Sequence, residues 1–166
     1  IHCSAHSYRH AQTDEWRKLL GVKSMRHEKG GRMLEVTNKD AVNPIMTKFP
    51  ESWTTPNGEL YAIENIWPTV KPLATAYGED TKLNHRVIWT NEYKGVKVFA
   101  TTLGHHNETM QASEWLETVS RGALWTLGLL EKDGSVNKGY EGTGISKFSF
   151  ETEAQGEPTP AKAKSN

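Results

Sequence analysis

The run Val96-Lys97-Val98-Phe99-Ala100-Thr101-Thr102 ends at Leu103-Gly104, and His105, His106, Asn107 and Glu108 follow at once. β-Branched and aromatic residues make the first part a strand, of the composition that buried strands carry. Glycine breaks it, and a polar cluster appears where the strand delivers its carboxyl end. From Ser113, the apolar positions Trp115, Leu116, Val119, Ala123, Leu124 and Leu127 recur at three- and four-residue intervals. That spacing predicts an amphipathic helix beginning at Ser113 and fading from Gly128. Strand, polar turn and helix in this order constrain the chain to an α/β or α+β domain. In open α/β sheets, sites are built outside the carboxyl ends of strands.

Earlier segments fit that frame. Thr13 or Asp14 caps a short helix over Glu15 to Leu20, stopped by Gly21. Strands are expected at Val22 to His27, Met33 to Thr37, Glu59 to Ile63 and Arg86 to Thr90. Another, interrupted by Pro72, is expected within Pro68 to Tyr77. Pro50 to Gly58 reads as a Pro- and Thr-rich loop, Asn84-His85 as a turn, and Glu92 to Gly95 as a hairpin connection. Residues 131–166 form a polar C-terminal extension, disordered from about residue 154. The helices are too few to cover both faces of a parallel sheet. The chain also opens on Ile1-His2-Cys3, which resembles the last residues of a strand, so N-terminal units are expected to be missing.

Charge excludes several partners. Twenty Lys and Arg balance twenty Asp and Glu, so no nucleic-acid surface or polybasic membrane patch is indicated. No apolar run approaches the ~20 residues of a membrane span. Cys3 is the single cysteine, so no intramolecular disulfide forms. A start at Ile1 leaves the compartment open: cytoplasmic, or periplasmic or secreted if a signal segment was lost upstream.

His105 and His106 supply two bases, and a carboxylate beside an imidazole orients the ring and raises its basicity. Glu108 is the nearest such carboxylate in sequence, and Glu59, beside Tyr61, offers a second. His2, His6 and His10 are spaced by four, a zinc-binding pattern on a helix, but Ser4 and Ser7 argue for a turn and for unrelated surface histidines. Cys3 becomes a nucleophile only on a sharp strand-to-helix elbow, and a lone cysteine is more often inert.

Read together, Trp89-Thr90, Val98-Phe99, Thr101-Thr102-Leu103-Gly104-His105 and Arg121-Gly122-Ala123-Leu124-Trp125 resemble the ThuA-like (trehalose utilisation) family. Ile1-His2-Cys3-Ser4, the stretch from Trp16 to His27, and Gly58-Glu59-Leu60-Tyr61 extend the resemblance over residues 1–130. It implies a flavodoxin-like, class I glutamine amidotransferase-like three-layer sandwich, here N-terminally truncated, with an open sheet edge. It implies a pocket joining His2, His27, Glu59, His105 and Glu108, with Tyr61, Arg9 and Asn107 as further substrate contacts. In that pocket His105, His2, Glu108 and Glu59 would be catalytic, and His2, His27 and His105 would bind any divalent metal such as zinc. The implied partner is a small carbohydrate, a disaccharide or keto-sugar, handled by a hydrolase or a lyase or isomerase. A non-catalytic sugar-binding or scaffold module is the alternative, and a homo-oligomer is compatible with either. A glutamine amidotransferase using Cys3 is the third reading, but the elbow is displaced by one residue and the His–Glu spacing is longer than that chemistry uses.

Overall fold

The computed structural model describes residues 14–64 and 66–140. Helix α1 (Glu15–Leu20) leads into β1 (Lys23–His27), β2 (Arg32–Asn38), β3 (Ser52–Gly58) and β4 (Tyr61–Glu64). There follow β5 (Lys71–Tyr77), β6 (Asn84–Tyr93), β7 (Val96–Thr101), α2 (Asn107–Met110) and α3 (Ser113–Thr126). Five strands form one sheet in the order β3-β2-β5-β6-β7, and β1 pairs with β4 in a separate ribbon. All of these described pairings are antiparallel.

β6, the longest strand, lies between β5 and β7. Residues 87–91 are all buried, because both sides of it are covered. Val87 and Ile88 join Leu34, Val36, Ile45, Met46, Leu60 and Leu73 in the larger core. Trp89 joins Val22, Ile63 and Ala100 in a second core.

α1 ends as its sequence predicts. Gly21 takes φ +77°, and its N–H caps Arg17 O. β6 completes the cap: Asn91 Nδ2 donates to Lys18 O and Leu19 O, and Trp89 Nε1 donates to Leu20 O. Carbonyls orphaned at the helix end are thereby satisfied from the sheet. On the opposite side, the buried Arg121 of α3 donates to Ile45 O, Pro44 O, Thr47 Oγ1 and Gly134 O. One guanidinium thus joins the helix, the loop after β2 and the segment after α3.

Three expectations need correction. Residues 52–58 form a strand and not a loop, with Trp53 and Thr55 buried in alternation. Pro56 is tolerated because β3 is an edge strand and its pairing with β2 is irregular there. Asn84-His85 begins β6; the turn lies before it, where Gly78 N–H bonds to Leu83 O and Lys82 has φ +57°. β7, expected as a buried strand, is the last of the described strands in the sheet, and Val96 is 59% exposed.

Candidate active site

Three chain segments meet at Glu59. Its carboxylate lies in the two-residue link between β3 and β4 and is only 10% exposed. Nδ1 of His27, the last residue of β1, is 2.9 Å from Glu59 Oε1. Nδ1 of His105, in the loop after β7, is 3.2 Å from Glu59 Oε2. Both imidazoles are nearly half exposed, so a buried carboxylate forms the floor beneath two accessible rings.

This arrangement selects a tautomer. A carboxylate accepts, so each Nδ1 carries the hydrogen. Glu28 O, 3.0 Å from His27 Nδ1, is a second acceptor there and reinforces the choice. The Nε2 atoms therefore keep their lone pairs and are the basic atoms of the site.

Tyr61 stands beside His27, its partner across the ribbon, with ring centroids 5.7 Å apart. Burial and a hydrogen bond to Glu59 hold the Tyr61 hydroxyl well above its ordinary pKa, so it remains a proton donor. His106 packs edge-on against His105, ring centroids 4.7 Å apart. Its Nε2 is buried and has no hydrogen-bond partner among the described residues. The β1–β2 turn passes beside the cluster: a Cβ on Gly30 would make ordinary contacts, 3.4 Å from His106 Nε2 and 3.6 Å from Glu59.

Gly104 places His105. Its φ is +99°, and a Cβ would come within 2.5 Å of the Trp115 indole. That indole donates to Leu103 O at 3.0 Å, fixing the loop to α3. From Tyr61 and His105 a groove of about 820 Å³ runs along β7 to Phe99, Trp115 and Val119, with mostly apolar walls.

Of the expected site residues, the structure brings together His27, Glu59, Tyr61 and His105. Asn107 and Glu108 are exposed in the first turn of α2 and stand outside this hydrogen-bonded cluster. The helix instead turns Thr109 inward, where it exchanges hydrogen bonds with the Asn57 backbone on β3. The carboxylate that holds His105 is therefore Glu59, from another segment, and not its sequence neighbour. His2, Cys3 and Arg9 lie outside the described residues. Among the described residues no three His, Cys, Asp or Glu side chains are grouped to hold a metal ion, so the expected metal centre gains no support there. His106, read from the sequence as a second base, instead packs against His105, and Gly30 was not singled out from the sequence.

These features describe a mixed α/β domain with a curled sheet and a His-Glu-His cluster beyond the end of β7. The chain belongs to the ThuA family (trehalose utilisation), which matches residues 1–126. Its fold resembles a putative ThuA-like protein from Parabacteroides merdae, with 20% identity, a TM-score of 0.56, and coverage of 74% of this chain and 56% of that one. It also resembles one from Bacteroides uniformis, with 15% identity, a TM-score of 0.64, and coverage of 75% and 56%. The chain thus spans little more than half of either structure. Among curated proteins, none matches. No described helix is long and apolar enough to cross a membrane.

Proposed function

We propose that this ThuA-like domain performs acid–base chemistry on a small carbohydrate, a disaccharide or keto-sugar derivative, at the His27–Glu59–His105 cluster. The observation that carries the reading is one buried carboxylate holding Nδ1 of two accessible histidines. Nε2 of His105 removes a proton from the substrate. Glu59 then stabilises the imidazolium that forms, since charge-assisted hydrogen bonds are about twice as strong as neutral ones. His27, on the same carboxylate, serves as the second proton carrier. Positioned proton transfer of this kind contributes about 10²–10⁴-fold to a rate. A substrate rich in hydroxyl and carbonyl groups suits a site of bases and donors.

The amidotransferase alternative needs Cys3 as nucleophile and a carboxylate following the histidine in sequence. Glu108, the candidate for the latter, is exposed, which favours the sugar reading. The test is turnover of a disaccharide and keto-sugar panel by the longest natural form of the protein and by its His105→Ala variant. Loss of turnover with unchanged circular dichroism supports the proposal. Unchanged turnover overturns it, and saturable sugar binding without product would make the domain a binding module.

A further inference from the structure

The site is assembled across two pieces of sheet. His27 and Tyr61 lie on the β1–β4 ribbon, and Glu59 lies in the link that joins β3 of the five-stranded sheet to β4. His105 follows β7 of the same sheet. Glu59 thus joins ribbon to sheet, so its 2.9 Å contact to His27 depends on how the ribbon is seated, and its 3.2 Å contact to His105 responds to where that seating holds the link.

Two buried side chains fasten it. At the end of β1, Glu28 accepts from the backbone N–H groups of Glu79 and Asp80 at 3.1 and 2.9 Å, and from Arg32 at 2.8 Å. From β6, the 7% exposed His85 accepts the Ile63 N–H of β4 at Nδ1, 3.3 Å away. Since Nδ1 accepts, Nε2 carries the hydrogen and donates to Thr81 Oγ1 at 2.6 Å. The two fasteners share one pocket. A Cβ on Gly78 would fall 2.7 Å from Glu28 Oε1 and 3.0 Å from His85 Cδ2.

We propose that His85 is a positioning residue for the His27–Glu59–His105 cluster, one that holds β4 on β6 only while its Nδ1 is unprotonated. A proton on Nδ1 turns the acceptor into a donor facing the Ile63 N–H, so the bond is lost and a buried N–H is orphaned. Burial disfavours the charged ring, and Arg26 on β1 adds to this; Glu28, just after β1, and Glu64 on β4 oppose it. Mild acid therefore loosens the ribbon. The inference rests on the proposed function only in treating the cluster as the working site.

The test is amide hydrogen exchange on the full chain, corrected for intrinsic exchange, at about pH 7.5 and pH 5. Wild type is expected to lose roughly tenfold protection at Ile63 at the lower pH, while Val36 and Ala76 on β2–β5 keep theirs. In His85→Asn, the amide oxygen can accept the same N–H and does not titrate, so protection stays at both pH values. In His85→Leu it is low at both. Long-range proton–nitrogen spectra of His105 then report the cluster: its Nδ1–H tautomer persists in His85→Asn and weakens in His85→Leu at the higher pH. Identical pH loss in wild type and His85→Asn overturns the proposal, as does an unchanged His105 tautomer in His85→Leu. If His85→Leu does not fold, the wild-type and His85→Asn comparison decides. Absence of the Nδ1–H tautomer in wild type would instead count against the proposed function, and the exchange result would still judge His85.

Discussion

Glu59 Oε2 lies 3.2 Å from His105 Nδ1, although Glu59 follows β3 and His105 follows β7, at opposite ends of the described order of the five-stranded sheet. The buried carboxylate sets which ring nitrogen is protonated, and the basic Nε2 is left to the accessible side.

Replacing Glu59 with Gln tests that relationship. The amide keeps the volume and a hydrogen-bonding oxygen but cannot stabilise an imidazolium by charge. Turnover in Glu59→Gln is expected to fall by about 10²-fold or more, with the loss in kcat rather than in KM. Steady-state kinetics on whichever sugar the panel identifies would check it. A purely structural carboxylate would leave kcat unchanged.

Gly104→Ala is expected to cost about 2–4 kcal/mol. A methyl group would meet the Trp115 indole at 2.5 Å, and the left-handed backbone adds about 1–2 kcal/mol of strain for an L side chain. Urea titrations followed by tryptophan fluorescence would measure it. His105 should also lose its place, so activity would fall even where the variant remains folded.

Some of this was readable from the chain. α1 and its Gly21 stop were, because a helix cap is a local pattern of residues. α3 was also readable, since its apolar stripe repeats within one segment. β3 escaped because Pro56, Thr54 and Thr55 look like loop chemistry, and only its pairing with β2 reveals an irregular edge strand. β7 has core composition yet ends the order of the described strands, and nothing within a strand declares its place in the sheet. The site divides in the same way. Gly104-His105 marked one wall by local pattern, whereas the Glu59–His105 pair depends on bringing together the chain that leaves β3 and the chain that leaves β7. Family resemblance pointed to Glu59, but sequence proximity favoured Glu108, which is exposed.

Arg121 makes a third case. Its guanidinium is buried and satisfies carbonyls from two other segments, Ile45 O and Gly134 O, at 2.8 and 2.9 Å. Arg121→Met keeps the apolar stem and leaves those carbonyls unpaired. A loss of about 3 kcal/mol or more is expected. Guanidinium denaturation would show a lower midpoint at unchanged slope, and a variant as stable as wild type would make the latch dispensable.

Acid should weaken the fold in two stages, and the sign is the same in both. Burial lowers the His85 pKa from its ordinary 6.5, so the unfolded chain takes up that proton first. His85's contribution is fully present above pH 6.5 and is lost as pH falls through the lower folded value. Burial alone would raise the Glu28 carboxyl, but Arg32 and the backbone N–H groups of Asp80 and Glu79 outweigh it and hold it below its ordinary 4.5. Its contribution is present above pH 4.5 and fades below it. Melting temperature against pH should therefore fall first beneath neutrality and again in stronger acid. His85→Asn should remove the first decline and keep the second, while Glu28→Gln should do the reverse from a lower starting point. A wild-type curve that His85→Asn reproduces in full would mean that the neutral ring is not what holds β4 to β6.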